Sequence, residues 1–172
     1  YALTLYDIFL HDTSFYPVLT RDTDYYLPLW ERNRISQENQ ADLFISIHCN
    51  AHTSRSWSGT NVYYYLDEKK VDTDATMVAN IENKIYYENE EKYSVFFKSQ
   101  TDLNYLFWEL KRAHIIKESA KLTSIILEKL NELNDIGINE SIHHAEFIVL
   151  KNLVVPSVLL ETGFITNEHD NK

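Results

Sequence analysis

Helical and strand-like segments alternate along this chain, and the alternation predicts a single α/β domain, a mostly parallel sheet flanked by helices. Two further observations support that class. Leu43, Phe44, Ile45 and Ile47, and later Val158, Leu159 and Leu160, are short runs apolar on both faces, as strands covered by helices on either side must be. The 172 residues, 44% hydrophobic and 24% charged, suffice for one sizeable core, and three glycines and three prolines leave no linker. Residues 1–172 therefore read as one domain without internal repeats.

The chain opens on a helix, because Ala2, Leu5, Tyr6 and Phe9 recur at helical spacing. It should stop in the polar cluster at residues 11–14. Residues 15–20 read as a short strand and residues 21–24 as a polar loop. Pro28 suits the first turn of a helix over residues 28–39. The strand at residues 43–47 follows, then an aromatic strand over residues 61–66. Residues 67–100 are acidic with little periodicity, and are expected to be a solvated surface insertion. A long helical pattern runs through Leu103, Leu106, Leu110, Ala113, Ile116, Ala120, Leu127 and Leu130, with Gly137 beyond its end. A short helix is expected over residues 145–150. Val158, Leu159 and Leu160 then form a buried strand ending at Glu161 and Gly163.

Composition narrows the function. A net charge of −10 repels phosphate backbones and argues against nucleic-acid binding. No apolar run approaches the ~20 residues that a transmembrane helix needs. No signal peptide is visible, but the chain begins on Tyr1, so the natural N-terminus is expected upstream. A single cysteine, Cys49, excludes an internal disulfide.

Two polar residues share one context. His48 and Glu161 each follow an apolar run, where a strand is expected to end. In open parallel sheets the ligand crevice lies at the carboxyl ends of the strands. If the two strands are neighbours, an imidazole and a carboxylate face one crevice, which suits a metal ligand and a general base acting on metal-bound water. The plainer alternative is structural: a lone strand-end histidine is usually not a ligand, and zinc sites need several. Glu161, before Thr162 and Gly163, would then simply fix a turn. His52 shares a face with His48 only if the segment is helical, and Cys49 points to the other side of the strand, so both read as non-ligands. His143 and His144 lie in the approach to the last helix; the alternatives are a place near the site and a surface role, and the surface role is expected.

Two blocks carry a family resemblance. The first holds Thr20-Arg21-Asp22, Asp24, Leu29, Arg32, Ala41-Asp42 and Ser46-Ile47-His48, with Asn50 and Ala51 behind. The second holds Val149-Leu150, residues 156–159, Glu161, residues 163–165 and Asn167. In this order they resemble the zinc-dependent N-acetylmuramoyl-L-alanine amidases of the type-3 group. The resemblance implies zinc at the C-terminal ends of the strands, His48 as a zinc ligand and Glu161 as the catalytic glutamate. It implies cleavage of the amide between the lactyl group of N-acetylmuramic acid and L-alanine in peptidoglycan. Zinc would activate the water, and Glu161 would carry its proton to the leaving amine.

The family pattern also places two further ligands, a Gly-His histidine and a glutamate, and both fall upstream of Tyr1. With His48 the one ligand retained, this chain by itself is expected to bind zinc weakly and hydrolyse peptidoglycan poorly. Some cell-division members of the group carry an inhibitory helix in the central segment, whose glutamate blocks zinc. Glu82, Glu88, Glu90 and Glu91 are the carboxylates available for that role here. The resemblance further implies a monomer in the periplasm or outer cell envelope, with peptidoglycan as substrate and an activator protein as a possible partner. The rival reading is a non-catalytic relative that binds wall fragments or a partner protein; a Gly-His motif upstream would decide for the enzyme.

Overall fold

The computed structural model describes residues 1–67, 72–89, 102–133, 142–151 and 154–171. Its elements run α1 (Ala2–Leu10), α2 (Leu29–Glu38), β1 (Phe44–Asn50), β2 (Asn61–Tyr65), α3 (Thr73–Asn89), α4 (Asp102–Asn131), β3 (His143–Ala145), α5 (Ile148–Lys151) and β4 (Ser157–Phe164). The four strands form one sheet in the order β1-β4-β2-β3. β1 runs parallel to β4 and β2 parallel to β3, whereas β2 and β4 are antiparallel. The sheet is thus mostly parallel and flanked by helices, the predicted class.

Strand alternation sorts the side chains into two cores. Ile45, Val62, Val158 and Leu160 face α4, where Leu122, Ile126, Leu127 and Leu130 meet them. Phe44, Tyr63, Tyr65 and Leu159 face the other way, onto Leu29 of α2, Ala75, Val78 and Ala79 of α3, and Val149 and Leu150 of α5. The α4 layer is also pinned by a hydroxyl: Ser119 Oγ donates to the Ile115 carbonyl and accepts from the Ser157 N–H at 2.9 Å, where β4 begins.

The structure departs from the sequence expectations at four places. Residues 15–20 take no regular structure; Pro17 cannot donate to a ladder, and Phe15 and Tyr16 lie exposed. The segment read as a solvated acidic insertion contains α3, with Ala75, Val78, Ala79 and Asn83 buried. Those four positions are helically spaced, but alanine and asparagine carry too little apolar signal to reveal it. The short helix expected from residue 145 starts at Ile148, because Ala145 completes β3 beside Tyr65. His48 and Glu161 lie within their strands, which continue to Asn50 and Phe164. The long helix over residues 103–130 is α4; Gly137, Glu90 and Glu91 lie outside the described residues.

The strands continue past the two site residues through an irregularity. His48 pairs with Glu161 and Asn50 with Phe164, so β4 carries one extra residue there. Gly163 occupies this stretch with φ +142°, and a Cβ at that position would sit 3.1 Å from Asp170 Cβ. Asp170 Oδ2 accepts from the Gly59 and Phe164 N–H groups, each at 2.8 Å, so it cannot readily yield. Gly163→Ala should therefore lower the unfolding free energy by about 1–3 kcal/mol. Urea titration checks this; an unchanged midpoint would show the φ constraint to be slack.

Candidate metal centre

The site is assembled by register. His48 and Glu161 are direct partners on adjacent parallel strands, so their side chains leave the sheet together. Both point to the α3 side, the side of Phe44 and Leu159. α3 supplies a third group there: Glu82 Oε2 lies 2.7 Å from His48 Nδ1. On the other edge of the ring, Ser46 Oγ is 3.0 Å from Nε2. Ser46 is two residues back along β1 and hence on the same face.

Glu82 reaches His48 because α3 is tied down at both ends of its contact with the sheet. Asp72, just before the helix, accepts from the Ala75 N–H at 3.1 Å and pairs with His143 Nδ1 at 2.8 Å. Burial alone would raise the Asp72 pKa, but the hydrogen bonds from His143 and Ala75 outweigh it and hold the carboxyl below its ordinary range. Asn83, the neighbour of Glu82, spends both ends of its amide on the β3–α5 turn. It donates to the Glu146 carbonyl at 2.6 Å and accepts from the Ile148 N–H at 2.9 Å.

Glu161 is fully buried, and neither carboxylate oxygen has a hydrogen-bond partner among the described residues. Burial pushes its pKa up to about 7; His48 nearby opposes the rise and Glu82 adds to it. One donor atom each from His48, Glu82 and Glu161 lies within 4.8 Å of the others, the one such group among the described residues. An imidazole with two carboxylates is a donor set that fits zinc or a similar divalent cation, and a cation there would answer the orphaned Glu161 carboxylate.

The other candidates lie elsewhere. Cys49 is exposed, with Sγ 3.3 Å from Thr162 Oγ1. His52 accepts from the Ser54 N–H at Nδ1 and stacks on Trp57 at 4.3 Å. His143 is spent on Asp72, and His144 packs against the Tyr64 ring. Glu88 is exposed and 3.7 Å from Lys84. Sequence reasoning named Glu82 only as one of four carboxylates. The signal that singles it out is phase: Ala75, Val78, Ala79, Glu82 and Asn83 fall at i, i+3, i+4, i+7 and i+8, one stripe of one helix.

Fold and donor set together define an α/β domain with an imidazole–dicarboxylate cluster on one face of a mostly parallel sheet. Over residues 1–172 it matches the N-acetylmuramoyl-L-alanine amidase family, and the chain belongs to that family. It is 32% identical over 158 residues to N-acetylmuramoyl-L-alanine amidase AmiA of Escherichia coli K12, covering 90% of this chain and 52% of the relative. The crystal structure of an N-acetylmuramoyl-L-alanine amidase from Clostridium difficile 630 shares the fold with a TM-score of 0.64 at 16% identity, over 98% of this chain and 66% of that one. The CwlD amidase from Clostridioides difficile, solved in complex with the GerS lipoprotein, superposes with a TM-score of 0.61 at 22% identity, over 99% and 71%. The chain spans about half the length, or less, of the first curated relatives that it matches. Among the described residues no helix is long and apolar enough to cross a membrane.

The raised pKa of Glu161 makes a stability prediction. Its folded value of about 7 exceeds the ordinary 4.5, so folding favours the protonated form. That contribution is complete below pH 4.5 and is lost as pH rises through 7. In protein stripped of divalent cations, unfolding free energy should fall by roughly 3 kcal/mol across this window relative to Glu161→Gln. Urea unfolding of both proteins from pH 4.5 to 8 tests it; curves that stay parallel would refute the assignment.

Proposed function

We propose that residues 1–172 belong to the catalytic domain of a peptidoglycan amidase, acting on the amide between the lactyl group of N-acetylmuramic acid and L-alanine. The observation that carries this reading is Glu161: a fully buried carboxylate, without a hydrogen-bond partner among the described residues, set in register beside His48. Family membership supplies the substrate class.

His48 would hold zinc, with Nδ1 facing the cluster and Nε2 kept by Ser46. Zinc, when bound, polarises the amide carbonyl and acidifies water enough to be deprotonated near neutral pH. Glu161 is the base: its carboxylate takes the proton of the attacking water and passes it to the departing nitrogen of L-alanine. Burial and the lack of hydrogen bonds raise the affinity of this carboxylate for a proton in the metal-free cluster, which favours the accepting half of that transfer. Burial of the same carboxylate keeps bulk water from taking the proton instead.

Glu82 acts as a restraint. It sits on the His48 nitrogen that faces the cluster, at 2.7 Å, and so stands where water and substrate must enter. α3 is then an inhibitory helix, and an activator protein would work by drawing it off. Such restraint suits a hydrolase of the cell envelope used in cell division, where uncontrolled cleavage would weaken the wall.

Release of L-alanine amino termini from purified peptidoglycan, with zinc supplied, tests the reading. Glu161→Gln should reduce the rate by at least about 10²-fold with binding intact, and chelation should abolish it reversibly. Equal rates for Glu161→Gln and the parent protein would rule out the base assignment. Glu82→Gln should raise turnover about tenfold by unblocking His48. A loss of turnover would instead make Glu82 a needed ligand.

A further inference from the structure

Beyond Glu161, β1 carries a second buried polar group that the reaction above does not use. Asn50 is 6% exposed, and its Nδ2 has no hydrogen-bond partner among the described residues. The other end of its amide is fixed: Oδ1 accepts from the Ala51 N–H at 2.8 Å. The backbone is fixed as well, since the Asn50 carbonyl accepts from the Ile165 N–H at 2.8 Å, beyond the irregularity in β4. The amide therefore has one end anchored and its donor end idle.

Its place on the strand sets Asn50 on the face of the cluster. Phe44, Ser46, His48 and Asn50 alternate onto one face of β1, and Phe44 marks it as the face that Glu161 shares. Asn50 follows His48 by two residues, roughly 6.6 Å further toward the carboxyl end of the strand. This is the end at which ligands enter open α/β sheets. A buried N–H left without an acceptor costs about 1–3 kcal/mol, a cost removed when a ligand supplies the acceptor. The donor is a neutral amide N–H, so its counterpart is an oxygen acceptor, of which the carbonyls flanking a scissile amide are the nearest at hand.

We propose that Asn50 is a substrate-binding residue whose side-chain NH2 donates to a carbonyl oxygen adjoining the scissile amide. This rests on the amidase reading above. The scissile carbonyl itself belongs to the centre at His48; Asn50 holds the next acceptor along the substrate and fixes how the chain lies across the crevice. Because the contact is present before and during the reaction, it acts on KM rather than on kcat.

The test has two arms. In steady-state kinetics with zinc and a soluble N-acetylmuramoyl-L-alanyl peptide, Asn50→Ala should raise KM about tenfold with kcat within a few-fold. Asn50→Asp keeps the acceptor for Ala51 but sets a carboxylate against the substrate carbonyl, and should raise KM about a hundredfold. The second arm leaves Asn50 in place. The zinc-loaded Glu161→Gln protein is titrated with the same peptide, and the Asn50 side-chain NH2 resonance should shift on binding. If the parent protein hydrolyses too slowly to measure, the kinetic arm bears only on the amidase reading and the titration alone decides the role of Asn50: an unmoved NH2 resonance overturns it. If it hydrolyses, and KM stays within twofold in both variants or the NH2 resonance does not move, the role of Asn50 alone is overturned. Loss of kcat with KM unchanged would also overturn it.

Discussion

The register of β1 against β4 is the constraint on which the rest depends. Side chains alternate along a strand, so a slip of one residue would turn His48 to the α4 side and leave Glu161 alone. The register is held from outside the pair as well as within it. The Phe44 N–H donates to the Pro156 carbonyl at one end, and the Ile165 N–H to the Asn50 carbonyl at the other. Ser119 fixes the start of β4 from the α4 side. The extra residue at Gly163 falls after Glu161, so the pair is set before the ladder is disturbed.

Within that frame the chemistry follows from poor solvation. Two carboxylates and an imidazole crowd together; His48 and Glu82 stay partly exposed, and Glu161 bears most of the strain, fully buried and without hydrogen bonds among the described residues. Such a carboxylate can be relieved by a proton or by a cation, and by little else. The same poverty that destabilises the anion makes it a good proton carrier near neutral pH. Ser46 and Asn83 contribute differently: each uses its hydrogen bonds to aim a neighbour, the first His48 and the second Glu82.

Much of this was legible in the amino-acid order, and unevenly. The two-faced apolar runs before His48 and Glu161 marked both as covered strands but left their adjacency open, and β1 lies at the edge of the described sheet; the motif blocks around them identified the family. The start of α2 was readable because Pro28, with its fixed φ, is a local helix-start signal. α3 was not readable, since its buried stripe is alanine, valine and asparagine inside a run of acids, and net charge masked its periodicity. Residues 15–20 misled for the opposite reason: Phe15, Tyr16 and Val18 look like strand formers, but strand formation needs a partner and a free N–H that Pro17 lacks. Pairing of His48 with Glu82 is a contact between distant segments, which no local pattern encodes.

The two layers that enclose the sheet are held by different kinds of force. α4 packs through Leu122, Ile126, Leu127 and Leu130, apolar surface that water cannot replace. α3 buries mainly alanine and valine, and its orientation rests on Asp72–His143, Asn83 and Glu82–His48, polar bonds that water can exchange one for one. The sandwich is thus mechanically one-sided, a stiff floor with a detachable roof. Thermal opening should run along that division, so that amide exchange in α3 outpaces that in the facing stretch of α4. A site beneath such a roof can be uncovered without unfolding the sheet that aligns it.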